Sequence, residues 1–164
     1  MKQIAIQGIS GSYHDIVAHH YFEGEEIEIL GCKTFKDVFA TMRKDSSILG
    51  VIAIENTIAG SLLQNHNLLR ESETAIIGEF KLRISHCLAA IPGQSFKDIR
   101  EVHSHPIALM QCDDYLGLHP EWTIVESEDT ATSAKTIGNQ KIMGRAAICS
   151  RQAAEIYGLE VLEA

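Results

Sequence analysis

A cluster of polar residues follows a short apolar run at residues 49–54, and it has the composition of a ligand-binding site. Apolar runs of this length, with β-branched residues, are typical of strands that are covered on both faces. Where such a strand ends next to a helix N-terminus, backbone N–H groups attract carboxylates and phosphates. The segment therefore predicts a site for an anionic ligand. Its polar residues are Glu55, Asn56, Thr57, Gly60 and Ser61.

Two further junctions of the same kind occur at residues 7–12 and 128–132. Each joins a predicted strand to a predicted helix through Gly, Ser or Thr residues. Three such junctions suggest a ligand rich in carboxylate or phosphate groups, held by helix N-termini rather than by basic side chains. The candidate substrate-binding residues are Ser10, Gly11, Asn56, Thr57, Gly60, Ser61, Thr130, Ala131 and Thr132.

These assignments have simpler structural alternatives. Asn56 and Thr57 are of types that are common in turns after strands. Thr130 and Thr132 could cap their helix instead of binding a carboxylate. Glu55 would repel an anionic ligand unless it were protonated or bonded to neighbouring N–H groups, so we expect it to hold the geometry of the loop.

The elements that must position these residues alternate along the first half of the chain. The apolar periodicity predicts strands at residues 2–7, 27–30 and 49–55, and helices at residues 12–22, 34–42 and 61–69, with Thr34 as an N-cap. Such alternation implies a parallel sheet with right-handed crossovers. Residues 75–91 have nearly continuous strand character, which is too long for one ordinary strand. We interpret them as a strand that leaves one lobe and enters another.

The alternation resumes in the second half. It predicts strands at residues 101–103, 122–125, 145–149 and 159–162, and helices at residues 105–116, 129–137 and 150–157. We therefore predict an α/β protein with two lobes, residues 1–78 and 79–164, mainly parallel sheets and a cleft between the lobes. Residues 161–164 are interpreted as the start of a return segment, so that the first lobe is expected to be incomplete.

Composition excludes several classes of function. The net charge of −8, without a long run of like charges, argues against a nucleic-acid or membrane-surface partner. No segment approaches the roughly 20 apolar residues of a membrane span, and the chain is predicted to be cytoplasmic. The 4 cysteines are scattered without Cys-x-x-Cys pairing and are expected to be free thiols. No cluster of His, Cys or carboxylate residues has a spacing typical of metal ligands.

Four segments resemble motifs of the prephenate dehydratase domain, in the same order, and the resemblance runs from Ile4 to Leu162. They are Ile-Ala-Ile-Gln-Gly-Ile-Ser-Gly-Ser-Tyr at 4–13, Gly-Val-Ile-Ala-Ile-Glu-Asn-Thr-Ile-Ala-Gly-Ser at 50–61, His-Ser-His-Pro-Ile-Ala-Leu-Met-Gln-Cys at 103–112 and Asp-Thr-Ala-Thr-Ser-Ala-Lys at 129–135. Ala53 stands where the family usually has Pro, Thr57 where it has Ser, and Ile107 where it has Gln. His105 is expected to begin a helix near the site, with Pro106 in its first turn.

The resemblance implies a lyase of phenylalanine biosynthesis that converts prephenate to phenylpyruvate, water and carbon dioxide without a cofactor. It also implies a two-lobe architecture like that of type II periplasmic binding proteins. The family's catalytic threonine, in a Thr-Arg-Phe motif, and its ACT regulatory domain are expected beyond Ala164. We expect a homo-oligomer, either a dimer or a tetramer.

Two other functions remain open at this point. A chain of this architecture could be a non-catalytic binding module, or an inactive fragment that binds prephenate or a related dicarboxylate, because fold does not fix function. Arogenate could also replace prephenate as the substrate.

Overall fold

The computed structural model describes residues 1–58 and 60–164. The strands are β1 (Lys2–Gln7), β2 (Ile27–Cys32), β3 (Leu49–Val51), β4 (Glu55–Asn56), β5 (Gly60–Ser61), β6 (Cys87–Ala90), β7 (Glu101–Ser104), β8 (Thr123–Glu126), β9 (Arg145–Cys149) and β10 (Glu160–Glu163). The helices are α1 (Tyr13–Tyr21), α2 (Phe35–Lys44), α3 (Leu63–Glu71), α4 (Pro106–Gln111), α5 (Asp113–Leu116), α6 (Thr130–Gln140) and α7 (Arg151–Ile156), with a 3-10 turn at Phe96–Asp98.

The chain divides into two compact units. The first consists of Met1–Ile9 and Tyr13–Arg83, and the second of Ser10–Ser12 and Ile84–Ala164. A short loop near the amino terminus thus belongs to the second unit, although the residues on either side of it belong to the first.

The first unit contains a parallel three-stranded sheet in the order β2-β1-β3. The central strand β1 is apolar and buried, and the core around it comprises Ile4, Ile6, Ala18 and Phe22. Helix α2 begins where the sequence predicts, because the Thr34 hydroxyl accepts from the Asp37 amide and the Asp37 carboxylate accepts from the Thr34 amide. The mainly parallel α/β organisation predicted for this half is confirmed.

The second unit contains a five-stranded mixed sheet in the order β10-β6-β9-β7-β8. The pairs β7–β8 and β7–β9 are parallel, whereas β6 runs antiparallel to both β9 and β10. Its core includes Leu88, Val102, Leu109, Leu116, Trp122 and Ile148. The helices and sheet thus bury one continuous apolar cluster.

Three elements differ from the prediction. No strand is assigned to residues 75–86, because their backbone forms no ladder with another described strand, and apolar character without a ladder does not make a strand. Strand β3 ends at Val51, four residues early, and Glu55 belongs to a separate short strand. The helix expected over residues 105–116 is divided at Cys112 into α4 and α5.

The last strand also has a different place from the one predicted. Residues 161–164 were interpreted as the start of a return to the first lobe. Instead, Glu160–Glu163 pairs antiparallel with β6, with Val161 opposite Ala89, and it completes one end of the sheet in the second unit.

Candidate functional site

The candidate site residues of the first unit lie together in a small hairpin. Strand β4 pairs antiparallel with β5, so that Glu55 faces Ser61 and Asn56 faces Gly60. Thr57 begins the connecting turn and is exposed. Gly60 has a φ of +79°, in the left-handed region that favours glycine. The structure therefore brings Glu55, Asn56, Thr57, Gly60 and Ser61 into one motif, although as a hairpin and not as a strand end that leads directly into a helix.

Asn56 shapes the turn of this hairpin. Its side-chain oxygen Oδ1 accepts a hydrogen bond of 2.9 Å from the Ile58 amide, which is the geometry of an Asx turn. The Leu62 amide donates to the Ile54 carbonyl oxygen at 2.9 Å and closes the base of the hairpin. The structural role considered for Asn56 is thus present.

Asn65 fixes the approach to the hairpin, and it is not among the site residues predicted from the sequence. Its side chain is buried, and its Nδ2 donates to the Ala53 carbonyl oxygen at 2.7 Å. Helix α3 has no side-chain cap at Leu62, so Asn65, in its first turn, ties the helix to the residues that precede Glu55. The signal in the sequence is a polar Asn near the start of the helix that is predicted at residues 61–69.

In the second unit, the loop Ser10–Ser12 packs against helix α7. The Ser150 hydroxyl donates to the Gly11 carbonyl oxygen at 2.6 Å, and the Tyr157 hydroxyl donates to the Ser10 carbonyl oxygen at 2.9 Å. Gly11 has a φ of +84°, and a Cβ there would lie 2.7 Å from the Cα of Ala153. The glycine is therefore required by its contact with the helix.

The side chain of Asp129 caps the start of helix α6. Asp129 accepts from the Thr132 amide at 2.7 Å through Oδ1, and from the Thr132 hydroxyl at 2.5 Å through Oδ2. Ala131 is fully buried and offers a ligand only its backbone, whereas Thr130 is half-buried. The N-cap of α6 is thus Asp129 and neither threonine, and Thr132 donates to its carboxylate.

His105 begins helix α4, as predicted. Its Nδ1 accepts a hydrogen bond of 3.2 Å from the Ile107 amide, and Pro106 occupies the first helical position. The Ile107 amide is the donor of this bond, and Nδ1 is its acceptor. His105 is therefore the N-cap of α4.

A second histidine of this unit is engaged with the far end of the same helix. The Nε2 of His86 lies 2.7 Å from the Oε1 of Gln111, the last residue of α4. Burial lowers the pKa of His86, and the hydrogen bond to Gln111 opposes that shift. Neither residue of this pair is among those predicted from the sequence.

A charged cluster lies on the side of the sheet that α6 covers. Glu101 Oε2 lies 2.9 Å from His103 Nε2 and 2.6 Å from Arg145 Nε. The hydrogen bond from His103 lowers the pKa of the Glu101 carboxyl, and Arg145 adds to this effect. Next to the cluster is a cavity of about 100 Å³, which His103 and Arg145 line together with hydroxyl groups from α6 and the segment before it.

Among residues 1–58 and 60–164, no group of three or more His, Cys, Asp or Glu side chains has the arrangement of a metal site. Within the same described residues, the helices are too short and too polar to span a bilayer.

Comparisons with known proteins give one family for almost the whole chain. The family model of prephenate dehydratase matches residues 4–164. The chloroplastic arogenate dehydratase/prephenate dehydratase 2 of Arabidopsis thaliana is 36% identical over 163 residues, which are 98% of this chain and 41% of that protein. The chain spans about two fifths of the length of the curated relatives that it matches.

Two solved structures share the fold over 98% of this chain. GqqA, described as a novel type of quorum quenching acylase, is 34% identical, with a TM-score of 0.85 over 58% of its length. The prephenate dehydratase from Staphylococcus aureus subsp. aureus Mu50 is 25% identical, with a TM-score of 0.81 over 59% of its length.

Proposed function

Since the chain belongs to the prephenate dehydratase family, we propose that it takes part in the conversion of prephenate to phenylpyruvate. The observation that carries this proposal is the match of residues 4–164 to the family. The hairpin that gathers Glu55, Asn56, Thr57, Gly60 and Ser61 supports it, because these residues form the segment that resembles a family motif.

The proposed reaction is an elimination. Prephenate carries two carboxylates and a ring hydroxyl. The bond between the ring and its carboxylate breaks to release carbon dioxide, its electron pair enters the ring, and the C–O bond breaks as the hydroxyl leaves with a proton as water. Because aromatisation drives this step, the protein has to orient the substrate and give a proton or a strong hydrogen bond to the leaving oxygen. No metal or organic cofactor is proposed.

In the first unit, we assign substrate contacts to the turn of the hairpin. The exposed Thr57 hydroxyl and the Asn56 Nδ2 are donors that suit a carboxylate or the ring hydroxyl. Gly60 is exposed, and a Cβ on it would meet no atom within 4 Å, so a ligand can approach its backbone closely. Ser61 adds a further hydroxyl. Glu55 is exposed and is proposed to hold the hairpin rather than to contact an anionic substrate.

In the second unit, the candidates are Ser10, Gly11, Thr130, Ala131 and Thr132. Several of their polar groups already serve α7 or the cap of α6, so we assign substrate binding there to backbone N–H groups and to the hydroxyls of Ser10 and Thr130. His105 keeps a positioning role at the start of α4. These residues would hold a carboxylate without basic side chains, which suits a chain of net charge −8.

We also propose a two-lobe architecture for the chain. We keep the assignment of residues 1–78 and 79–164 to two lobes of a periplasmic-binding-protein-like fold with a cleft, and the two compact units support it. A cytoplasmic location and a dimer or tetramer are further proposals.

The proposal is tested by incubating the purified chain with prephenate and following phenylpyruvate by ultraviolet absorbance, with calorimetry to measure binding. Asn56→Ala and Thr57→Ala are compared with Asn67→Ala, an exposed position on α3. Turnover or binding that falls about tenfold or more in the first two variants and not in the control supports the site. Binding without turnover identifies a binding module. If the folded chain shows neither binding nor turnover, the proposal is overturned.

Two related activities are tested in the same series. Arogenate replaces prephenate because the Arabidopsis relative carries both substrates in its name. An N-acyl amide is assayed for release of a primary amine because GqqA is described as an acylase. Amine release without phenylpyruvate would replace the dehydratase proposal with acyl transfer.

A further inference from the structure

An open groove lies on the second unit between helices α4 and α5 and the strand β8. Its volume is about 520 Å³, and five of its seven lining residues are apolar. Two of the lining side chains are unusually exposed for their type, Met110 at 51% and Ile124 at 41%. The lining residues are Pro106, Leu109, Met110, Asp113, Leu116, Ile124 and Glu126.

One wall of the groove is the open edge of the sheet. Strand β8 is the last strand in the order, and among the described residues it pairs only with β7. The amides of Thr123 and Ser127 donate to carbonyl oxygens on the β7 side. Because alternate residues of a strand direct their backbone groups to opposite sides, Ile124 and Glu126 direct their N–H and C=O groups to the open edge. Such an edge is a template for an added strand.

The charges near this edge indicate what kind of strand can be added. Asp113 and Glu126 place carboxylates in the groove. Two copies of this chain that paired through β8 would bring these carboxylates together, which is unfavourable. A segment with Lys or Arg beside them would gain complementary charge. The edge is therefore better suited to a basic partner than to a second copy.

We propose that β8 and the groove beside it bind an extended segment of a partner protein by strand addition. The side chains of Ile124 and Glu126 lie on the same face of β8, two residues apart. The added strand therefore presents an apolar residue to Met110 and Ile124, and a Lys or Arg two positions away to Glu126 and Asp113. Backbone hydrogen bonds to Ile124 and Glu126 supply affinity, and the alternate side chains supply specificity.

The probe is a fluorescent peptide, Ser-Lys-Thr-Leu-Thr-Lys-Ser, which places Lys, Leu and Lys on one face of a strand. Its acidic counterpart has Glu in place of both Lys residues. Binding is measured by fluorescence anisotropy, and the amides of Ile124 and Glu126 are followed by NMR. We expect the basic peptide to bind at least about tenfold more tightly than the acidic one, with shifts at both amides.

Variants of the chain distinguish the contribution of charge to peptide binding from that of backbone hydrogen bonds. Glu126→Lys should reverse the preference between the two peptides. Ile124→Pro removes an outward N–H without touching the ladder to β7, and Ile124→Ala is its matched control that keeps the N–H. Binding should be weaker in the proline variant than in the alanine variant, while circular dichroism shows that both are folded.

Three results would overturn the proposal. They are no binding of the basic peptide at millimolar concentration, equal binding of both peptides, and a dimer of the chain that Ile124→Pro dissociates. The last result would assign the edge to a second copy. None of these readouts depends on prephenate.

Discussion

The Ser150 hydroxyl donates a 2.6 Å hydrogen bond to the carbonyl oxygen of Gly11, which lies 139 residues earlier in the chain. The Ser150 hydroxyl oxygen in turn accepts from the Ala153 amide at 2.9 Å and so caps helix α7. One buried hydroxyl thus joins the start of a helix to a loop from the other end of the sequence. Loss of this side chain removes a cap and a long-range bond together.

Ser150→Ala should lower the free energy of unfolding by about 2–3 kcal/mol, since a cap contributes about 1 kcal/mol and the buried bond to Gly11 adds to it. Thr34→Ala is the matched control, because Thr34 caps the exposed start of α2. It should cost about 1 kcal/mol. Urea unfolding of the two variants measures both values. Equal losses would show that the bond to Gly11 contributes nothing.

Gly11→Ala should destabilise the protein more than Gly24→Ala. Both glycines have a positive φ, of +84° and +85°, so the cost of the backbone conformation is common to both, about 1–2 kcal/mol. At Gly24 a Cβ meets no atom within 4 Å, whereas at Gly11 it meets the backbone of Ala153 at 2.7 Å. Because α7 would be displaced, the total loss of stability in Gly11→Ala should reach roughly 3–5 kcal/mol. Similar midpoints of thermal unfolding would contradict a close contact between this loop and α7.

His86 should make the stability of the protein depend on pH below neutrality. Burial lowers its pKa from 6.5 in the folded chain, so the unfolded chain binds the proton more readily. Its contribution to stability is therefore fully present above pH 6.5 and is lost as the pH falls through the lowered folded-state pKa. His86→Gln should reduce the difference in free energy of unfolding between pH 7.5 and 5, in urea titrations at both values.

The control for this prediction is His66→Gln, which removes an exposed histidine on α3. It should leave the pH dependence of the wild-type chain in place. If both variants changed the pH dependence equally, burial of His86 would not be its cause.

The fluorescence emission of Trp122 should depend on its stacking with the His119 ring. The two rings are 3.8 Å apart between centroids and 7° from parallel, and Trp122, the only tryptophan of the sequence, is 5% exposed. His119→Ala should expose the indole to water and shift its emission to longer wavelength, with little change in the far-ultraviolet circular dichroism. His66→Ala, in the first unit, should leave the emission unchanged. An unshifted spectrum in His119→Ala would show that other rings shield the indole.

Elements with a complete local signal were predictable from the sequence. The apolar run at Arg145–Cys149 gave a strand with the predicted bounds, and Thr34 and Ser150 cap the helices that follow them. In each case the information lies within a few residues, since a buried run or a hydroxyl next to a helix start decides the structure.

Features that depend on distant partners were not predictable. The apolar residues of 75–86 have strand character, but a strand needs a second strand, and the sequence does not say whether one is available. The hairpin of β4 and β5 depends on the pairing of Asn56 with Gly60, and its Asx turn replaces the expected continuation of β3. The candidate residues at 55–61 were found by type, whereas their geometry and the role of Asn65 required the structure.

The place of Ser10–Ser12 within the second unit has a consequence for the order of synthesis. On the ribosome these three residues emerge before the rest of the second unit, whereas Tyr157, which donates to the Ser10 carbonyl oxygen, follows 147 residues after Ser10. The second unit therefore cannot complete its native contacts until nearly all of the described chain has been made. Contacts of such long range slow folding, so during translation this loop remains exposed to chaperones and proteases longer than any other part of the second unit.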